Sequence, residues 1–340
     1  MSPTRAKVIP QETSDRIASL RFLLVALVVF IHNDFTVESI AETVANGSHA
    51  IVFCTSAFGE WVQRLISQGI ARGAVPLFFL FAGYLQAKKN DSYRLLLKKR
   101  ARSLLRPFVL WMGFYAFCFA GAKLIIAQIA PTLVTHPDSS ALTYSILDWF
   151  HNFLGYKLKP DGTFSNPGFA IQFWFIRDLL VLVILSPVFR WLLAKCPSAT
   201  MVLSGVSFLT PFPVFFVNAQ SLFFFLAGLG WAFGNIPVFE KVDSIHWLDI
   251  ILVFALSFSA SEIFFGGNGP LHGLTVLAAA AALVKISAII VRSPKYLAVS
   301  TWLGGFFLFS LRHSCSHLKP SPAKDLDSFF PYEEYFFCPV

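Results

Sequence analysis

Two ionisable side chains, Arg21 and His32, stand eleven positions apart in the first apolar run of the sequence. At about 100° per residue that separation is roughly 20° past three full turns, so on a helix the two share one face, about 16 Å apart along the axis. Ionisable groups in apolar spans are costly and commonly face a bundle interior or a wet cavity. A guanidinium that can hold an anion and an imidazole that can move a proton, on one stripe, could serve general acid–base chemistry or line a transport path. The competing reading is that Arg21 snorkels to one interface while His32 sits at the other.

A second charged group falls in another apolar run, Phe173-Trp174-Phe175-Ile176-Arg177-Asp178-Leu179. Arg177 and Asp178 either join His32 at a similar depth or neutralise each other without chemistry. Asp34, two residues past His32, is placed to orient the ring. Glu262 and Lys285 can each reach an interface, and His136, His151, His246 and His272 read as loop or interface residues. The run Lys98-Lys99-Arg100-Ala101-Arg102-Ser103-Leu104-Leu105-Arg106-Pro107 concentrates positive charge. It suits anionic lipid, or a phosphorylated ligand held by Lys99, Arg100, Arg102 and Arg106.

These residues need helices in a bilayer to position them. With 56% hydrophobic and 14% charged residues, and 39 Phe among 340 residues, the chain has too little polar surface for a water-soluble globule. The mean hydropathy is +0.64. The fold class is all-α, a polytopic transmembrane bundle of about nine spans. They fall at Ile17–Phe35, Gly73–Ala87, from the basic run to about Ile129, Ile171–Ala194, Thr200–Val217, Ala219–Phe233, Trp247–Phe265, Leu274–Val291 and Tyr296–Leu311.

The distribution of Lys and Arg sets the orientation. Segments on the N-terminal side of the membrane collect seventeen of the 27 basic residues, eight of them between Lys88 and Arg106, whereas the long opposite loops hold only Arg64, Arg72, Lys157 and Lys159. That bias predicts a cytoplasmic N-terminus. It also accounts for the net charge of +8 without a nucleic-acid partner. No small-residue cleavage site follows the first apolar run, which predicts a retained span. Cys54, Cys118, Cys196, Cys315 and Cys338 are scattered, with neither a metal-binding spacing nor a disulfide framework.

Five pieces in order resemble the membrane-bound acyltransferase family 3. They are Arg21 and His32 in the first span, Val75-Pro76-Leu77-Phe78-Phe79-Leu80-Phe81-Ala82-Gly83-Tyr84-Leu85, the basic run from Lys99 to Pro107, Phe173-Trp174-Phe175-Ile176-Arg177, and Phe306-Phe307-Leu308-Phe309-Ser310-Leu311-Arg312-His313. The likeness covers residues 14 to about 313. It implies transfer of an acyl group, most often acetyl, from an acyl-coenzyme A to a hydroxyl of a cell-envelope or exported carbohydrate, at a bacterial inner membrane and without a metal. By position, His32 matches the family's essential histidine, Arg21 its arginine, and Lys99 and Arg102 its basic pair. Beside them, Arg177 is a fixed cation that could stabilise the thioester oxygen, Asp34 or Asp178 could orient the imidazole, and Trp174 and His313 could support the site. Two departures stand out: Ala82 occupies a usual serine, and Lys99 a usual arginine, whose guanidinium alone can fork onto a phosphate.

The chemistry implied suits these residues. A hydroxyl needs a base to attack a thioester, and an imidazole with an ordinary pKa of about 6.5 can supply it. Direct acylation of His32 is the alternative. The domain expectations are a cytoplasmic segment over 1–15, the transmembrane domain over 16–312, and an atypical, truncated or altered tail over 313–340. That tail lacks an apolar run where the family would place a tenth span. A rival from another class is a transporter or flippase-like permease using the same charges.

Overall fold

The computed structural model describes residues 9–32, 57–88, 92–129, 145–154, 157–158, 164–165, 173–210, 217–265, 269–300 and 302–303. Helix α1 spans Gln11–His32, with Glu12 in its first turn, where the helix dipole favours an acid. Ile17, Leu20, Leu24 and Leu27 form its buried stripe, while Val29 and Phe30 are exposed. The helix thus begins six residues before the expected Ile17, and Arg21 lies midway along it rather than at an end.

Helix α2 (Ala57–Arg64) passes through a wide turn at Leu65–Gly69 and a tight one at Ile70–Gly73 into α3 (Ala74–Lys88). The span expected at Gly73–Ala87 is therefore the end of a longer helical run, Trp61–Lys88. Ser92 caps α4 (Tyr93–Arg100) by accepting from the Leu95 N–H, and a wide turn at Ala101–Leu105 joins it to α5 (Arg106–Ile129). The basic run, expected as a connecting segment, is itself helical and opens the Tyr93–Ala122 span.

Amphipathic α6 (Ile146–Leu154) precedes a two-residue antiparallel ladder, Lys157–Leu158 against Phe164–Ser165. The expected span Ile171–Ala194 is broken into α7 (Trp174–Ile184) and α8 (Ser186–Lys195). Pro187, near the start of α8, cannot donate into the preceding turn, so the chain restarts there. Helices α9 (Pro197–Leu209), α10 (Ala219–Gly234), α11 (Val238–Ser244), α12 (Trp247–Phe265) and α13 (Pro270–Arg292) complete the described bundle. Asn218 caps α10 by accepting from Gln220 N–H, and Asn235 ends it in the left-handed conformation at φ 46°.

Among the described residues four helical runs are long and apolar enough to cross a membrane, and a fifth would count if α10 and α11, bent by 107°, form one span. The expected α12 matches at both ends, while most of the ninth expected span and the whole 313–340 tail lie outside the described residues. Apolar side chains on these helices also face outward, as a lipid solvent allows: Phe117 on α5 is 78% exposed and Ile263 on α12 is 74% exposed.

At the centre, α3 and α10 run parallel and touch through backbone. A Cβ added at Gly83 would lie 2.1 Å from the Phe225 carbonyl oxygen, and one at Gly228 would lie 2.0 Å from that of Leu80. One turn on, Tyr84 stacks on Trp231 with ring centroids 3.9 Å apart. Small residues let membrane helices approach this closely and gain dispersion contacts that lipid cannot match. A second close crossing sets Gly73 against the α13 alanines, where an added Cβ would lie 2.8 Å from Ala280 N.

Gly83→Ala is expected to lower stability by about 1–3 kcal/mol through overpacking. Gly113→Ala on α5, where an added Cβ meets nothing within 4 Å among the described residues, should be neutral or stabilising by up to about 1 kcal/mol. Thermal unfolding of the two purified variants in one detergent checks the contrast, and equal midpoints would contradict it.

Candidate functional site

The helix directions divide the polar residues between two ends of the bundle. At one end lie the start of α1, the ends of α3, α10 and α13, and the basic helix α4. At the other lie the end of α1 and the starts of α3, α7 and α10.

The first end holds a cluster centred on Arg16 and Asp243, which no sequence pattern singled out. Arg16 is 1% exposed, and its guanidinium forks onto Asp243, Nη1 to Oδ2 at 2.6 Å and Nη2 to Oδ1 at 2.9 Å. Its Nε donates to Ser287 Oγ at 3.0 Å and Nη2 also donates to the Val284 carbonyl, while the Phe239 ring lies 4.2 Å from its central carbon. Lys285 donates to the backbone carbonyls of Asp243 and Ile245. One buried arginine and one buried lysine thereby fasten α11 to α1 and α13. Lys285, expected to reach an interface, instead points its ammonium at the α11–α12 joint. The available signal was a lysine within an apolar helix and an aspartate in the short segment before it, but only the folded chain pairs Asp243 with Arg16.

Arg21 lies five residues further along α1, about 7.5 Å deeper than Arg16, and is partly buried. The α1 backbone continues to His32, whose side chain, like Asp34 and His313 entirely, lies outside the described residues. In the basic run, Lys98, Arg102 and Arg106 are exposed, whereas Lys99 and Arg100 are half-buried. The Tyr93 hydroxyl ties this run to the end of α7 by donating to the Ile184 carbonyl at 2.7 Å.

At the other end, Arg177 and Asp178 form a buried, hydrogen-bonded pair. Arg177 Nε and Nη2 donate to Asp178 Oδ1 at 3.2 and 2.9 Å, and Nη1 donates to the Leu154 carbonyl at 3.1 Å. Asp178 Oδ2 accepts from Asn218 N–H at 3.0 Å and from Ser221 Oγ at 3.1 Å. Those four accepted bonds match the four lone-pair positions of a carboxylate. The pair binds α6, α7 and α10 together, the arrangement of mutual neutralisation. Trp174 is half-buried beside it, and Phe175 packs edge-on against Phe79 at 5.0 Å.

At this same end Glu262 lies 3.5 Å from Arg64, and Arg72 donates through both Nε and Nη2 to Gln68 Oε1. Among the described residues no group of three His, Cys, Asp or Glu could hold a metal.

The structure thus sets the basic helix α4 and the end of α1 that carries His32 at opposite ends. The family model of acyltransferase family 3, described as an acyltransferase domain, matches residues 15–320. The "Succinoglycan biosynthesis protein ExoH" of Rhizobium meliloti (strain 1021) is 24% identical over 223 residues, 64% of this chain and 53% of that protein. The chain spans about half the length of that curated relative. No solved structure matches it. With four long apolar helices among its described residues, the matched region makes this an integral membrane protein.

Asp178→Asn removes the carboxylate charge paired with the buried Arg177 and should cost about 3–5 kcal/mol of stability. Ser221→Ala removes one neutral donor from the same carboxylate and should cost about 1 kcal/mol. Unfolding midpoints in detergent read both, and equal losses would mean the pair is not the strut described.

Proposed function

Because the chain belongs to acyltransferase family 3, we propose that it is a membrane O-acyltransferase that moves an acyl group, most often acetyl, from acyl-coenzyme A to a hydroxyl of an exported or cell-envelope polysaccharide. The observation that carries this reading is a family match running through α1, with Arg21 and His32, and through the basic helix α4. A polysaccharide acceptor is supported by the name of the succinoglycan-biosynthesis relative.

In this reading the α4 end faces the cytoplasm, in line with the excess of Lys and Arg there. Arg102 and Arg106, with Lys99 and Arg100 beside them, attract the donor's phosphates. Arg21, midway along α1, lies on the path of the arm that carries the thioester. His32, at the far end of the helix, takes the proton from the acceptor hydroxyl as its oxygen attacks the thioester carbon. The C–O bond forms, the C–S bond breaks, and the imidazolium returns the proton to the departing thiolate. The Arg177–Asp178 pair keeps α6, α7 and α10 in register around that end and takes no proton. The inner membrane of a bacterium is the proposed location.

His32→Ala should lower the turnover of acyl-coenzyme A by about 10²–10⁴-fold, the usual share of a general base. Arg102→Ala should raise KM for the donor and leave kcat unchanged, because the phosphates lie far from the reacting bond. Release of free coenzyme A by protein in proteoliposomes, with an oligosaccharide acceptor, measures both. Full turnover by the His32 variant would remove the proposed base. Substrate movement across the vesicle membrane with no coenzyme A released would support a permease instead.

A further inference from the structure

The Arg16 cluster holds one end of the helix whose other end carries His32, and the apolar face between them does little to fix how far along its axis that helix sits. Ile17, Leu20, Leu24 and Leu27 are its buried stripe. They recur every three or four residues, so a shift of α1 by one turn, about 5.4 Å, lays leucine where leucine or isoleucine was. In a lipid solvent the side chains uncovered by such a shift meet hydrocarbon, and little apolar driving force opposes it. Packing of this stripe alone sets the axial position of α1 only weakly.

Arg16 removes that freedom. Its guanidinium reaches two other helices at once: both Nη atoms fork onto the Asp243 carboxylate of α11, while Nε and Nη2 donate to Ser287 Oγ and the Val284 carbonyl of α13. The Phe239 ring covers it and meets Trp231 of α10 edge-on at 5.2 Å, which ties the anchor, through the Tyr84 stack, to the α3–α10 crossing. A one-turn shift of α1 would break all of these bonds and strand a buried charge. A buried ion pair commonly adds no more stability than packed apolar groups of the same volume would, so position is what this one supplies.

We propose that Arg16 is a positioning residue for the acyl transfer: with Asp243 and Ser287 it fixes the axial and rotational setting of α1, and through that helix the place of Arg21 and His32. The inference rests on His32 being the base of the proposed reaction. His32 lies about 24 Å of helix beyond Arg16, so the residue that sets the base touches neither donor nor acceptor. Its effect is nonetheless large, because a misplacement of about 1 Å at the reacting atoms can lower the rate about 100-fold.

The test separates position from stability by replacing the pair together, in the full chain. Arg16→Met combined with Asp243→Leu removes both charges, while Lys285 keeps its bonds to the backbone carbonyls of residues 243 and 245. Such apolar replacements are often neutral or stabilising. The double variant should therefore melt no lower than the wild type in detergent, yet in proteoliposomes release coenzyme A with kcat about 100-fold lower and an unchanged KM for the donor, whose phosphates α4 holds. Arg16→Lys, which keeps the charge without the fork, should fall between the two. Glu12→Gln, which removes the exposed carboxylate 3.9 Å from Arg16, should match the wild type. Wild-type kcat in the double variant overturns the proposal, and so does a kcat that falls only in step with the folded fraction, the mark of a strut. If the double variant does not fold, Arg16→Lys decides: a lowered kcat per folded molecule supports the anchor, and an unchanged one overturns it. A wild type that releases no coenzyme A overturns the acyltransferase reading, and the positioning role with it.

Discussion

The closest constraint in this molecule is the crossing of α3 and α10, where two glycines bring backbone against backbone. At Gly83 and Gly228 a methyl group would overlap a carbonyl oxygen of the facing helix. In a lipid solvent, apolar area removed from hydrocarbon gives no net driving force, so association depends on how closely atoms fit. The stack of Tyr84 on Trp231 extends the fit one turn toward the α4 end. Because the two helices are parallel, their starts and ends are paired as well. The pairing brings Asn218 and Ser221 to Asp178 at one end and Asn235 toward Lys88 at the other.

Buried charges then fasten what packing alone would leave free to slide. Arg16 joins α1 to α11 and α13 through a forked bond, a hydroxyl and a carbonyl. Arg177 and Asp178 join α6, α7 and α10 at the opposite end. Each of these charges would be prohibitive alone in a low-dielectric interior, and each is matched by partners from other elements. Geometric specificity is what such networks supply: a helix shifted by one residue along its axis would leave several buried polar atoms unpaired.

Much of this was legible in the sequence, because apolar runs of membrane length state their own secondary structure. Trp247–Phe265 agrees at both ends, and α13 contains the expected Leu274–Val291. Other features depend on contacts that no local pattern contains. Gly83 reads as part of a family motif, yet its physical role is set by Phe225, far along the chain. Arg16 and Arg21 look alike as basic residues flanking an apolar run. Only the fold makes one of them a buried lock and sets the other midway along α1. Pro187 was available as a break signal within the fourth run, but the strong hydropathy around it hid the interruption. His32, the proposed base, is singled out by its spacing from Arg21, and that inference stands on sequence and helix geometry alone.

The same crossing also limits where a donor could run. Nothing can pass between α3 and α10, since no space remains even for a methyl group at their contact. On another face, α3 lies along α7 and α8, with Phe79 against Phe175 toward one end and Gln86 against Ser186 toward the other. That seam begins beside the basic helix, at Tyr93 and Ile184. Further along, the Arg177–Asp178 pair lies at the start of α7, and the end of α1 lies at the same end of the bundle. The α3–α7–α8 seam thus runs along α3 from polar to aromatic, while α1 packs on α3 and α13.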